Sequence, residues 1–304
     1  MAETPVSSAA TKRCAVVTGG NKGIGLELCR QLASNGVLVV LTARDEKRGT
    51  EAVEKLKGSG LSDVFFHQLD VTNPASVASL ADFIKTHFGK LDILVNNAGI
   101  SGATADFDAL NKENLPEEAG PRLFAMMQAL SENFEMTKEC LETNYHGTKR
   151  VTEALLPLLQ LSNSARIVNV SSSAGLLQGI SHERAKEVFS NIDELTEKNV
   201  DELLNEYLKD YKEGSPETKG WPARSLAAYM LSKAAMNAYT RFLANKFPSF
   251  RINSVCPGYV KTDINFNTGL LSVEEGADSL LRLALLPNDG PSGLFFRNKE
   301  VSIF

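Results

Sequence analysis

The sequence predicts an α/β fold, a doubly wound parallel sheet of about seven strands, in one domain. Three observations carry this. Short apolar runs of strand length alternate regularly with helical patterns from Cys14 onward. The first run passes through a glycine-rich turn straight into a helical pattern, which is the context a phosphate-binding turn needs. The chain has 304 residues, 43 % hydrophobic, with no internal repeat, low-complexity segment or composition break that would mark a second domain.

The elements follow in order. Cys14 to Thr18 is an apolar strand ending in Gly19-Gly20, and after Gly23-Ile24-Gly25 a helix runs from Leu26 to Ser34. The glycines are spaced G-x-x-x-G-x-G. Glycines let a backbone pass close to a pyrophosphate, and a helix N-terminus offers free N–H groups. Val37 to Thr42 is the second strand. A site for NAD would place a carboxylate at its end, on the ribose 2′-hydroxyl. Here Ala43 stands there, followed by Arg44, with Lys22 in the glycine loop and Arg48 one turn on. A missing carboxylate with arriving cations is what a 2′-phosphate requires, so the expected cofactor is NADPH/NADP+.

A polar helix (Glu46 to Lys57) and a strand (Val64 to His67) lead to Leu69-Asp70-Val71. Asp70 is placed either to accept from an adenine amino group or to cap the helix that follows Pro74; the sequence leaves both open. Ala75 to Phe88 is amphipathic helix, and Leu91 to Val95 is strand four, closed by Asn96-Asn97-Ala98-Gly99. Residues 100 to about 135 are less regular. A helical pattern then carries Asn144 and continues from Val151 to Leu161. Ile167 to Val170 is strand five and runs into Ser171-Ser172-Ser173, hydroxyls at the end of a central parallel strand, where such sheets bind ligands.

Residues 178 to about 222 are polar, charged and helical, then broken by SPETKGWP. They fall between the serine run and the next helix, which suggests a cover over a pocket with Trp221 as its anchor. Ser225 to Lys246 is that helix. It holds Tyr229 and Lys233, four residues apart and so on one face. A phenol beside an ammonium can be made acidic enough to exchange a proton near neutral pH. Arg251 to Val255 is strand six. The loop Pro257-Gly258-Tyr259-Val260-Lys261-Thr262 is placed to offer backbone groups and the Thr262 hydroxyl to a nicotinamide carboxamide. Ser272 to Leu286 is a helix with Glu274 and Glu275 in its first turn, and Gly293 to Phe296 reads as the last edge strand.

Composition excludes several classes. A net charge of -5 gives no nucleic-acid footprint. Cys14, Cys29, Cys140 and Cys256 are scattered, which fits buried thiols in a reducing compartment rather than a disulfide frame or zinc site. His67, His87, His146 and His182 are equally dispersed, so no metal site is expected. Residues 1–11 lack an apolar run and read as a flexible lead-in, and no stretch approaches the ~18 apolar residues of a membrane span. A cytoplasmic protein is expected.

Taken together, Thr18-Gly19-Gly20-Asn21-Lys22-Gly23-Ile24-Gly25, Asn96-Asn97-Ala98-Gly99, Asn144, Ser172, Tyr229-x-x-x-Lys233 and Pro257-Gly258 resemble the classical short-chain dehydrogenases/reductases over essentially the whole chain after the lead-in. Thr42-Ala43-Arg44-Asp45 and the long insertions resemble the carbonyl-reductase-like branch. Thr11 to Gly25, Thr86 to Lys90, Gly220-Trp221-Pro222 and Asp289 to Gly293 resemble its plant salutaridine reductase and menthone:neomenthol reductase group. The resemblance implies a Rossmann-type fold over residues 12–304, with insertions at about 103–135 and 178–222. It implies NADPH-dependent reduction of a hydrophobic, cyclic ketone by a monomer. Tyr229 would be the general acid and Ser172 would orient the carbonyl, with Ser171 and Ser173 as alternatives. Lys233 would bind the nicotinamide ribose and lower the Tyr229 pKa. Asn144 would hold a proton-relay water. The dinucleotide would lie along Gly19, Asn21, Lys22, Gly23, Ile24, Gly25, Arg44, Arg48, Asp70, Val71, Asn97, Ala98, Gly99, Tyr229, Lys233, Pro257, Gly258, Val260 and Thr262. The substrate walls would be Ile100 to Ala105, Leu176 to Ile180, Trp221 and Tyr259 to Asn265. Isopiperitenone reductase, in the same group, reduces a C=C bond and carries Glu at the tyrosine position; Tyr229 argues for carbonyl reduction here. A non-catalytic NADP(H)-binding protein is the remaining alternative, opposed by four filled catalytic positions.

Overall fold

The computed structural model describes residues 12–106, 115–214, 216–222, 225–297 and 299–304; the lead-in 1–11 lies outside them. The central strands form where apolar β-branched runs are long enough to be buried on both faces. In chain order the first elements are β1 (Cys14–Val17), α1 (Gly23–Ser34), β2 (Leu38–Ala43), α2 (Glu46–Gly58), β3 (Val64–Gln68), α3 (Pro74–Phe88) and β4 (Ile93–Asn96). A small hairpin, β5 (Thr104–Ala105) with β6 (Leu130–Ser131), flanks α4 (Ala119–Gln128). Then come α5 (Phe134–Leu141), a π-turn at Glu142–His146, α6 (Gly147–Leu159), β7 (Arg166–Val170), α7 (Glu183–Ser190) and α8 (Glu197–Glu213). The chain ends with α9 (Ala227–Lys246), β8 (Arg251–Cys256), α10 (Val273–Ala284), β9 (Phe295–Arg297) and β10 (Glu300–Ser302).

Among the described residues, eight strands of the central sheet lie in the order β10-β9-β8-β7-β4-β1-β2-β3. All neighbours are parallel except β9 and β10. The sheet thus has one strand more than the seven expected, and Gly293 to Phe296 does not end it. Phe295–Arg297 is an inner strand, and the edge is the antiparallel β10, whose short, mostly exposed residues carry little apolar signal. Alternate residues of β1 feed two cores. Cys14 and Val16 pack with α3, α5, α6 and α9, while Ala15 and Val17 pack with α1, α2 and α10. Strand order reverses between β1 and β4, which opens a crevice at their carboxyl ends.

A buried amide ladder ties helices to the sheet. Asn96 Nδ2 donates to Asn169 Oδ1 at 2.8 Å and to Thr152 Oγ1 at 3.0 Å, and Asn169 Nδ2 donates to Thr240 Oγ1 at 2.8 Å. Neighbouring strands β4 and β7 thereby hold α6 and α9 at fixed rotation. The helix after Pro74 is capped by Asn73, whose Oδ1 accepts from Ala75 and Ser76 N–H. Asp70 Oδ1 instead closes its own turn onto Thr72, so the capping alternative for Asp70 does not hold.

The 178–222 stretch folds back through α7 and α8. Trp221 is 1 % exposed. Its indole stacks on His182 with ring centroids 3.8 Å apart, meets Tyr207 edge-on, and donates to the buried Asp210 at 2.8 Å. Lys219 binds the other Asp210 oxygen at 2.6 Å. Trp221 therefore anchors the insertion from inside and does not line an open wall, as its place among the substrate walls had it. Truncating a buried indole costs about 3–5 kcal/mol. Trp221→Ala should lose that much unfolding free energy in a urea titration followed by circular dichroism; a loss under about 1 kcal/mol would show that the insertion does not rest on this ring.

Candidate active site

The glycine loop leaves β1 at Thr18. Gly19 and Gly23 take φ of 63° and 55°, and a Cβ on Gly25 would stand 2.6 Å from the Gly19 carbonyl oxygen. These positions therefore need glycine. Lys22, which precedes α1, gives it no side-chain cap, and the first turn holds no acid, so the leading N–H groups are left without a side-chain partner. A glycine cradle opening on an uncapped helix N-terminus fits a pyrophosphate.

The loop after β4 holds this cradle in shape. Thr18 Oγ1 accepts from Asn97 N–H and Ala98 N–H, each at 2.9 Å. Asn97 Nδ2 donates back to the Thr18 and Gly19 carbonyls at 2.9 and 3.1 Å. The Asn97 side chain is thus turned onto the protein, and it shapes the groove instead of reaching into it. Arg44 and Arg48 are exposed at the end of β2 and the start of α2, and Lys22 is paired with Asp263.

The second half of the site forms where β7 meets α9. Of the three serines, Ser171 turns inward to the Lys233 carbonyl at 3.3 Å, and Ser173 faces the Cys256 sulfur at 3.3 Å. Ser172 remains; its Oγ accepts from Ala174 N–H at 3.1 Å, and it lies close enough to Tyr229 to favour the ionised phenol. Lys233 Nζ lies 5.5 Å from the Tyr229 ring centroid and donates to the Val170 carbonyl at 2.8 Å. Burial pushes the Tyr229 phenol above its usual range, opposed by the neighbouring Ser172 hydroxyl. Burial also pulls the Lys233 ammonium down to about 8.

Asn144 sits in the π-turn, a departure from the regular helix expected there. Its Oδ1 accepts from Ile100 N–H at 2.9 Å, and its Nδ2 donates to the Ile100 carbonyl at 3.0 Å and to Ser232 Oγ at 3.1 Å. Ser232 in turn donates to the Tyr229 carbonyl at 2.8 Å. The Asn144 amide therefore clamps Ile100 to α9. Ser232 was not visible from the sequence; only its place three residues after Tyr229 hints at it.

On the far side, Asn265 Nδ2 holds the Val260 carbonyl at 2.7 Å and its Oδ1 accepts from Thr262 N–H, so the loop after β8 stands as a rigid turn. A Cβ on Gly23 would meet Thr262 at 3.4 Å, which places this loop against the glycine loop. Ile180 is 1 % exposed and packs in the core rather than lining a wall. Among the described residues no group of three or more His, Cys, Asp or Glu is placed to hold a metal ion.

Residues 13–184 match the family model described as short chain dehydrogenase, and residues 215–288 match one described as enoyl-(acyl carrier protein) reductase. The chain is 56 % identical to (+)-neomenthol dehydrogenase of Capsicum annuum over the whole of both chains. This protein belongs to the short-chain dehydrogenase family. It is an oxidoreductase. The solved structure of salutaridine reductase from Papaver somniferum, 55 % identical, superposes with a TM-score of 0.89, covering 94 % of this chain and 99 % of that one. (-)-Isopiperitenone reductase of Mentha piperita is 53 % identical over 97 % of this chain and all of that one.

The low Lys233 value has a stability consequence. Between pH 8 and the ordinary lysine value of 10.5 the unfolded chain keeps a proton that the folded chain releases, so folding becomes more favourable as pH rises. From pH 7 to 10 the wild type should gain about 2 kcal/mol of stability relative to Lys233→Met. Paired urea titrations at the two pH values measure this, and parallel behaviour would contradict a depressed Lys233.

Proposed function

We propose that this protein reduces the carbonyl of a hydrophobic, cyclic ketone of monoterpenoid or alkaloid type to a secondary alcohol, using NADPH. The observation that carries the reading is the meeting of Ser172, Tyr229 and Lys233 at the carboxyl end of β7 beside the crevice, with Lys233 Nζ 5.5 Å from the Tyr229 ring centroid. The names of relatives that are more than half identical along nearly all of both chains support the substrate class.

When bound, NADPH supplies the hydride. The remaining roles fall to the chain itself. Gly19, Asn21, Gly23, Ile24 and Gly25 cradle the pyrophosphate, with Asn97, Ala98 and Gly99 closing the groove behind it. Lys22, Arg44 and Arg48 hold the 2′-phosphate, Asp70 and Val71 the adenine, and Pro257, Gly258, Val260 and Thr262 the carboxamide. Ser172 donates to the carbonyl oxygen and orients it. Tyr229 protonates that oxygen. Lys233 binds the ribose hydroxyls, and its charge, with that of the oxidised nicotinamide ring, offsets the upward pull of burial on Tyr229. Asn144 keeps Ile100 and α9 in register around the pocket. Residues 12–304 act as one domain, whose insertions at about 103–135 and 178–222 cover the pocket.

The insertion also supports a monomer. Asp201 and Glu197 of α8 pair with Lys149 of α6, so α8 occupies helix surface that would otherwise be open to a second copy. Free, buried cysteines support a reducing, cytoplasmic location. Among the described residues no helix is long and apolar enough to cross a membrane. The likeness to isopiperitenone reductase favours a second reading, reduction of an enone C=C bond.

Loss of a positioned acid costs typically 10²–10⁴ in rate. Tyr229→Phe should lower kcat for menthone, or for whichever ketone of a small panel turns over, by about that factor. NADPH binding by calorimetry should stay within about threefold, because the hydroxyl is one contact among many. Undiminished turnover would remove Tyr229 from the mechanism.

A further inference from the structure

Lys22 precedes the first residue of α1, yet its ammonium is engaged elsewhere. Its Nζ lies 2.7 Å from Asp263 Oδ2, on the turn Asp263–Asn265 that follows β8 and Thr262. The other Asp263 oxygen accepts from Asn267 Nδ2 at 3.3 Å. The hydrogen bonds from Lys22 and Asn267, with the charges of Lys22 and Arg48, hold the carboxyl below its usual range. One carboxylate thus stands in the field of two of the three cations assigned to the 2′-phosphate. The third, Arg44, has Glu139 no closer than 3.9 Å. Of the three, Lys22 alone has a carboxylate at hydrogen-bond distance among the described residues.

The carboxylate is held there by a stiff support. Phe266 and Asn267 both have positive φ, 55° and 62°, a left-handed pair that is uncommon without glycine. Asn267 N–H donates to the Thr262 carbonyl at 2.8 Å, and Arg122 of α4 donates to the Thr268 carbonyl at 2.7 Å. The turn is therefore braced from the first insertion on one side and meets the glycine loop on the other. Both partners remain more than half exposed, with side-chain accessibilities of 59 % and 62 %. Such a pair is weak and opens readily.

We propose that Asp263 is a built-in competitor for the 2′-phosphate of NADP(H). It pairs with Lys22 across the mouth of the groove, yields to the phosphate when the dinucleotide enters, and returns to Lys22 as the oxidised dinucleotide leaves. A phosphate near two cations outbids a single carboxylate through its greater charge and three acceptor oxygens. NADH, which has no such phosphate, does not contest Lys22. The inference rests on the NADP(H) reading of Lys22 and Arg48, and it adds a device that moderates affinity.

Calorimetric titration of the full chain with NADPH and NADH at low ionic strength tests it. Asp263→Asn should tighten NADPH binding about 2–5-fold, the range of an exposed pair, and leave NADH unchanged. In a Lys22→Gln background the tightening by Asp263→Asn should shrink to the weaker, through-space part that acts on Arg48, because the hydrogen-bonded cation is gone. Unchanged or weaker NADPH binding by Asp263→Asn, or equal tightening of both dinucleotides, would overturn the competitor. Wild-type protein that binds NADPH no more tightly than NADH would overturn the 2′-phosphate reading itself, and the competitor with it.

Discussion

The site depends on one close approach, that of the turn after β7 to the backbone of α9. Gly175 makes it possible. A Cβ there would stand 2.6 Å from the Lys233 carbonyl carbon and 2.7 Å from the Ala234 nitrogen, atoms that cannot move aside. With no side chain in the way, the serine turn settles onto α9, Ser172 comes close to Tyr229, and Lys233 tucks its ammonium onto the Val170 carbonyl. The opposite end of α9 is held by Thr240 on the Asn169–Asn96 ladder. Helix, turn and sheet therefore share one register, and Asn144 extends it through Ser232 to Ile100.

This arrangement works against stability locally. Lys233 is 3 % exposed, and burial disfavours its charge. Burial likewise opposes ionisation of Tyr229. Neither group would be chosen for packing alone. The large apolar cores on both faces of the sheet, and the buried Trp221–Asp210–Lys219 knot in the insertion, are the features able to offset such costs.

The sheet and its helices were legible because buried parallel strands are apolar without interruption and the helices between them are amphipathic. Tyr229 and Lys233 were legible because the four-residue spacing places both on one face whatever surrounds them. What escaped depends on contacts between distant segments. β10 is three residues long and borrows its pairing from β9. The hairpin β5–β6 contributes two residues from each side of the first insertion. The π-turn under Asn144 is decided by packing, as is the choice of Ser172 over its neighbours. The direction of the Asn97 amide follows from the orphan carbonyls of the glycine loop. Asp263 is 241 residues from Lys22, so no local pattern could join them.

Where the hydride goes decides the account most directly. A cyclic enone such as carvone offers both a carbonyl carbon and a β-carbon, and NADPH carrying deuterium at the transferable C4 position labels whichever is attacked. Product analysed by mass spectrometry and NMR should be an allylic alcohol with deuterium on the carbinol carbon and the ring C=C intact. A saturated ketone with deuterium on the β-carbon would contradict carbonyl reduction and assign Tyr229 a different task.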